Sequence, residues 1–291
     1  MFENFGFNLR SMINRLIAVN IAIFLVYRIV LSFVGIAGLT SAVDALEQFT
    51  LHHFMLSSEW DLVLRRPWTL ITHAFFHRDL WHLLMNVLCL YGFGRITEDL
   101  VGFRRILPIY LFGALGGGLL FILAFTLLPN FHAVNGVAFG ASGAVMAIMA
   151  AAVTFAPQYE INLLLIGRIR LLWVVIGMGV IDFINIPMGN AGGHIAHLGG
   201  ALLGWFYAFQ LQKGSDLASP FYWLLDKLST IFQPKPKNRK PVYRRMQADK
   251  EVKEKQQEEK VNIILEKISK SGYESLSKEE KEFLFSISNK K

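Results

Sequence analysis

Residues 138–156 read AFGASGAVMAIMAAAVTFA. The run is apolar almost throughout and close to the roughly 20 residues that an α-helix needs to cross a bilayer core. It is made mostly of Ala, Gly and Met, with little of the Leu and Ile that suit a helix facing lipid. Small residues let one helix backbone lie close against another, so this segment belongs inside a helical bundle. Residues 194–211, HIAHLGGALLGWFYAFQL, share the same Gly and Ala character. Further apolar stretches lie near 13–36, 80–100, 104–128 and 169–187. Six candidate spans therefore fall within the first 211 residues, and the expected fold class is an all-α membrane protein.

Composition agrees. Of 291 residues 53% are hydrophobic and 18% charged, with a mean hydropathy of +0.40, whereas a soluble domain carries about 25% charged residues. These values exclude a disordered chain and argue against a nucleic-acid-binding module. The charge is unevenly placed: residues 1–211 hold 11 Lys/Arg and 10 Asp/Glu, residues 212–291 hold 18 and 12. The net +7 thus belongs to a short basic C-terminal part. The single cysteine, Cys89, excludes an intrachain disulfide.

Short connections set the orientation, because Lys and Arg accumulate in cytoplasmic loops. Arg10 and Arg15, then Arg95, Arg104 and Arg105, then Arg168 and Arg170 mark one side, while residues 129–137 and 188–193 are uncharged. Both termini are expected in the cytoplasm, of a bacterial inner membrane. The long first connection, about 37–79, departs from the pattern with Arg65, Arg66 and Arg78; its Trp60 and Trp68, with Trp81 just beyond, suit a membrane interface. The first apolar run could alternatively be a cleaved signal peptide, but Ile29 to Gly38 extends it beyond a typical signal core.

Three parts follow: a membrane domain over 1–211, an interfacial helix and basic linker over 212–241, and a charged cytoplasmic helical tail over 242–291. In the tail Val261, Ile264, Leu265 and Ile268 recur at helical spacing, Gly272 ends that helix, and Ser277 with Glu280 forms a capping box opening a second. A solvated tail that holds topology by its charge is the competing reading.

Ionisable and polar side chains inside spans are costly and mark function. Ser142 sits between Gly140 and Gly143 at the start of the fourth span, where unpaired backbone N–H groups and the positive end of the helix dipole suit an oxyanion. His197 is followed by Gly200 and Gly204 at +3 and +7, all on one face at roughly 100° per residue. Helix axes ordinarily lie about 8–10 Å apart, and a nucleophile must come within about 2.6–3.2 Å of its base. Small residues on both helices permit that approach. His194 is the rival base, but Gly200 and Gly204 lie about 240° and 280° around the helix from it. A zinc reading of His194 and His197 is weaker, since no Cys, Asp or Glu follows in that span; no metal and no cofactor are expected. His82 and Asn86, at i and i+4 on the second span, are either polar contacts between helices or oxyanion donors. Asp182, in the fifth span, is expected near its outer end in reach of water.

Taken together these residues resemble the rhomboid family of intramembrane serine proteases. Gly140-Ala-Ser-Gly143 is similar to that family's GxSG, His197-Leu-Gly-Gly200 through Gly204 to its HxxGxxxG, and His82 with Asn86 to its HxxxN; Glu98 with Gly102 fits an acidic-glycine pattern after the second span. The resemblance covers about residues 10–211. It implies a six-transmembrane-helix bundle, Ser142 as nucleophile, His197 as general base, and His82, Asn86 and the Ser142 backbone as oxyanion donors, with Gly140, Gly143, Gly200 and Gly204 packing the helices. The implied activity is hydrolysis of peptide bonds in or beside transmembrane helices. The partners would be single-span membrane proteins and the lipid bilayer, with no nucleic acid. Two positions depart from the pattern: Thr69 follows Trp68 where the family often has Arg, and Met146 stands where an aromatic residue often stacks on the histidine. The alternative from another class is a non-catalytic relative that binds transmembrane clients. A transporter is disfavoured because the spans show no internal repeat.

Overall fold

Alanine and glycine dominate Ser142–Phe155, and that helix is buried over nearly its whole length: Gly143 through Ala152 are all inaccessible. It is the axis of the structure. The computed structural model describes residues 9–131, 134–163, 167–223, 227, 242–272 and 275–288. In chain order the elements of the membrane part are α1 (Met12–Ile36), α2 (Thr40–Phe54), β1 (Leu56–Ser57), α3 (Trp60–Arg65), α4 (Thr69–Thr72), α5 (Leu80–Val101), α6 (Phe103–Leu127), β2 (Val137–Ala138), α7 (Ser142–Phe155), β3 (Glu160–Leu163), β4 (Gly167–Arg170), α8 (Leu171–Asn185) and α9 (Ala191–Gln212). The two strand pairs are short and antiparallel.

The chain is an all-α, multi-pass membrane bundle, but the count of six apolar spans is corrected. Among the described residues three helices are long and apolar enough to cross a membrane: Met12–Ile36, Phe103–Leu127 and Leu171–Met188. Helix α7 is apolar but only 14 residues long. Helices α5 and α9 have 22 residues each, but α5 carries His82, Asn86, Arg95, Glu98 and Asp99, and α9 carries His194, His197 and Gln210, so neither is an uninterrupted apolar run. Polar residues that face a bundle interior lower the hydropathy of the helix that carries them, so α5 and α9 fall short of an apolar span.

Backbone contact holds α6, α7 and α9 together. A Cβ placed on Gly200 of α9 would overlap the carbonyl oxygen of Gly143, and one on Gly204 would overlap the backbone of Ala147. From α6, a Cβ on Gly117 would lie 2.7 Å from the Ala196 oxygen of α9. Around this triple contact Tyr110, Phe121 and Tyr207 are fully buried. The Tyr110 hydroxyl donates to the Ala74 carbonyl at 2.8 Å, and Thr97 of α5 donates to the Ile148 carbonyl of α7 at 3.1 Å.

Glu98 near the end of α5 closes the start of α1. Its carboxylate accepts from the Ser11 hydroxyl at 2.5 Å and from the Met12 N–H at 2.6 Å, and Ser11 in turn accepts from the Asn14 N–H at 3.3 Å. One carboxylate therefore satisfies a backbone donor that the helix leaves open and meets its positive dipole end. Glu98→Ala should lower stability by about 2 kcal/mol, the scale of lost hydrogen bonds to a charged group, and Glu98→Gln by less because an acceptor survives. An unchanged apparent Tm in detergent for Glu98→Ala would show the cap to be energetically idle.

The chain forms two units, 1–225 and 226–291. The second contains α10 (Val242–Ser271) and α11 (Lys278–Ser288). Gly272 takes φ 76° after α10. Ser277 Oγ accepts from the Glu280 N–H at 3.2 Å, while Glu280 accepts from the Ser277 N–H at 2.7 Å, the reciprocal geometry of a capping box. Lys267 pairs with Glu280 at 2.8 Å. The basic linker expected over 234–241 lies outside the described residues.

Candidate functional site

The loop entering α7 is held from behind by the first connection. His73, buried in a 3₁₀ turn, accepts through its carbonyl from the Gly140 N–H at 2.9 Å, and its Nδ1 is 2.9 Å from the Thr69 carbonyl. Thr69, the residue after Trp68 that departs from the expected pattern, is buried and donates to the Arg66 carbonyl at 2.7 Å. His77 offers Nε2 to the Ala141 N–H at 3.4 Å. Gly140 takes φ 120°, a conformation that favours glycine, and this turn delivers Ser142 to the first position of α7.

Both loop histidines are held neutral. Burial pushes His73 down to about 4. His77 also falls to about 4, mainly by burial and further through the neighbouring His82, whose ring stands edge-on to it at 5.1 Å. Nothing in the sequence marked His73 or His77 as site residues; the only signal was two histidines in a connection otherwise read as interfacial.

His82 reaches the same place from the first turn of α5, which Asp79 caps by accepting from the His82 N–H at 2.8 Å. Its imidazole occupies the space a side chain on Gly140 would need: a Cβ there would lie 2.8 Å from Nε2, and 3.8 Å from Ser142 Oγ. Asn86 is buried one turn later and donates to the His82 carbonyl at 2.9 Å, within its own helix. Met146 is packed into the core at 2% exposure. Ser142, His82, Asn86 and His197 all line one cavity of about 640 Å³, with Gly140, Gly143 and Met146.

Across the cavity α8 and α9 bring together three ionisable side chains. Asp182 Oδ1 is 2.8 Å from His194 Nδ1 and 2.9 Å from His197 Nδ1. The two rings stand perpendicular, 6.1 Å apart. Asp182 is not the solvated residue expected; it is 6% exposed. His194 is not a discarded rival of His197 but its partner, because residues i and i+3 of α9 share the face that meets α8.

This cluster overturns the expected Ser142–His197 dyad and, with it, the reading of the chain as a serine endopeptidase. The catalytic arrangement requires an imidazole hydrogen-bonded to the nucleophile. Among the described residues no hydrogen bond joins Ser142 to a histidine, and His197 is instead tied with His194 to one carboxylate. This geometry does not support a protease, serine protease or other hydrolase. Sequence reasoning missed the arrangement because it sought a third ligand along the last span, whereas Asp182 arrives from the preceding one.

Two family models match the chain, and several known proteins are similar to it. The model of the Rhomboid domain matches residues 64–214, and that of a family of unknown function, DUF6576, matches 248–290. The chain is 31% identical over 179 residues to RHOMBOID-like protein 12, mitochondrial, of Arabidopsis thaliana, covering 58% of this chain and 53% of that one. It is 29% identical over 157 residues to Rhomboid protein 1, mitochondrial, of Saccharomyces cerevisiae (51% and 43%). It is 29% identical over 154 residues to Rhomboid-like protein 11, chloroplastic, of Arabidopsis thaliana (49% and 52%). The chain thus spans about half the length of the curated relatives it matches. The expectation of a bacterial inner membrane is corrected by these relatives, which bear mitochondrial and chloroplastic names; a multi-pass membrane location stands.

Proposed function

The chain belongs to the rhomboid family, and from that premise we propose that it is a non-catalytic member that receives the transmembrane helices of other membrane proteins. The observation that carries this reading is the Asp182–His194–His197 cluster, in which both rings turn Nδ1 to one carboxylate and, among the described residues, neither is hydrogen-bonded to Ser142. The cavity beside it has the character of a binding site. Its apolar wall includes Met85 and Cys89 from α5, Val145 and Met146 from α7, and Met178 from α8. Methionine side chains adapt to irregular partners, which suits recognition of varied helices. The outer faces of α5 and α8 expose Leu84, Leu88, Val180 and Phe183, apolar surface that a bilayer or a client helix would cover.

In this reading α5, α7 and α9 cross the membrane alongside the three apolar spans, giving six crossings. Ser142 and His82 supply polar groups at the cavity, where a client backbone opened by Gly, Pro or Ser finds hydrogen bonds it cannot find in lipid. Gly140, Gly143, Gly200 and Gly204 keep the walls close, and clients with a single span are the simplest class to fit.

The test uses the full chain in lipid nanodiscs with a photo-crosslinker at Met178 and a single-span model helix carrying a Gly-Ser pair. Crosslinking without cleavage is expected for wild type, and Ser142→Ala, which loses one of the polar groups offered to the client, should crosslink less and likewise show no cleavage. A bulky Leu in place of the Gly-Ser pair should reduce crosslinking by about tenfold, a difference of roughly 1.4 kcal/mol. Peptide cleavage by wild type that Ser142→Ala abolishes would overturn the proposal, as would the absence of crosslinking.

A further inference from the structure

We propose that the β3–β4 hairpin and the outer stripe of α8 together hold one anionic phospholipid, with its phosphate on Arg168 and Arg170 and an acyl chain along Trp173, Ile176, Val180 and Phe183. Successive side chains of a strand point to opposite faces. In the paired register Glu160 stands opposite Arg170 and Asn162 opposite Arg168, so these four residues share one face, and all four are exposed. Ile161 and Ile169 lie on the other face and are half-buried. The outward face therefore sets two guanidinium groups against one carboxylate. Among the described residues neither arginine side chain has a hydrogen-bond or ion-pair partner, Glu160 included.

Other arginines of the membrane part are engaged. Arg15 donates from Nε to the Leu9 carbonyl at 2.6 Å, Arg95 lies 5.9 Å from the centre of the Tyr91 ring, and Arg105 pairs with Asp216 at 3.1 Å. The planar donor forks of Arg168 and Arg170 are open, and that geometry matches phosphate oxygens. Their depth is set by the chain, because Arg170 directly precedes Leu171, where the apolar run Leu171–Met188 begins. That junction is the level of phospholipid headgroups, where an anionic leaflet attracts basic residues. Trp173, exposed in the first turn of α8, suits the same interface.

The stripe on α8 supplies the apolar half of the site. At roughly 100° per residue Trp173, Ile176, Val180 and Phe183 fall within about 80° of one another, and all four are exposed. Asp182, about 180° around the helix from Trp173, is turned to His194 and His197 of α9, so the stripe faces away from α9. From Trp173 to Phe183 the helix rises about 15 Å, half of a hydrocarbon core roughly 30 Å thick. One acyl chain of one leaflet fits that length beneath a headgroup held at the hairpin. Only 11% of the apolar window of α8 is buried, so the lipid covers a face that protein leaves open.

The test exchanges the full chain, purified in detergent, into mixed phosphatidylglycerol and phosphatidylcholine of equal chain length and reads retained lipid by native mass spectrometry. No client is present, so the outcome is separate from client crosslinking. Wild type should hold phosphatidylglycerol over phosphatidylcholine by about twentyfold, and Arg168→Gln or Arg170→Gln should each cut that preference about fivefold, the scale of one basic residue at an anionic surface. The double variant should retain the two lipids alike, and Glu160→Gln should raise the preference. Arg104→Gln, at an equally exposed position of α6, should leave it unchanged, and excess inorganic phosphate should not displace the lipid. Equal retention of both lipids by wild type of native elution volume would overturn the assignment. So would a loss in Arg104→Gln as large as in Arg168→Gln, which would reduce the effect to general attraction, or release by free phosphate, which would leave α8 no part in it. A wild-type dimer that the double variant splits, with no lipid retained, would give this face to a second copy instead.

Discussion

Gly200→Ala should destabilise the bundle by about 3 kcal/mol, the upper part of the range for overpacking a core. The added methyl falls on the carbonyl group of Gly143, and a backbone carbonyl at the first turn of a buried helix cannot rotate away as a side chain can. Helices α7 and α9 must separate, which also loosens the contact between Gly204 and Ala147 one turn further along. Gly177→Ala on α8 supplies the control, because nothing lies within 4 Å of a Cβ there. Alanine is also the better helix former by about 1 kcal/mol, so that variant should be neutral or slightly stabilised. Thermal unfolding in detergent compares them. Equal apparent Tm values for Gly200→Ala and Gly177→Ala would refute the backbone contact as the joint of the fold.

Acidification should produce the second large effect. His73 and His77 bind a proton only near pH 4 in the folded chain, against 6.5 for an ordinary histidine. Between those values the unfolded chain holds more protons, so stability is complete above about pH 6.5 and falls as the pH drops toward 4. Each ring contributes a loss of about 3 kcal/mol by pH 4. The structural reason is specific for His77: its Nε2 serves as acceptor for the Ala141 N–H, and protonation turns that atom into a donor facing a donor. The turn that presents Ser142 should therefore loosen with the same pH dependence. Apparent Tm measured from pH 7 to 4.5 should decline steeply in wild type and less in a His73→Gln, His77→Gln chain. Parallel profiles would show that the acid response originates elsewhere.

Much of the molecule's organisation was legible because it follows from local composition. The Gly and Ala content of 138–156 and 194–211 announces helices in backbone contact, and the structure places Gly143 against Gly200. Ser277 and Glu280, three residues apart, form their reciprocal cap because capping geometry is set within one turn. What stayed hidden depends on separation in the chain. Asp182 approaches His194 and His197 only when α8 folds back beside α9, and hydropathy carries no information about which face of α8 is turned inward. The first connection was read as interfacial, yet α2, α3 and α4 and the 3₁₀ turn after them give it the helical structure that buries His73 and His77. The apolar character of the spans was overread for the opposite reason: α5 and α9 carry polar residues among their apolar ones, so only three of the described helices are long and apolar enough to cross a membrane by composition alone.

Glu98 and the start of α1 are 86 residues apart along the chain from Met12, and this separation has a consequence for assembly. Helix α1 leaves the ribosome before α5, and the carboxylate that closes its first turn arrives only with the last residues of α5. Until then the Met12 amide has no acceptor from Glu98, and the first turn of α1 is free to fray. Helix α1 is thus made before α5 but sealed only after it. In hydrogen exchange the Met12 amide should report the docking of α5 rather than the folding of its own helix, opening whenever α5 withdraws. Glu98 is thus a latch between α1 and α5, and the two helices should open together at that end.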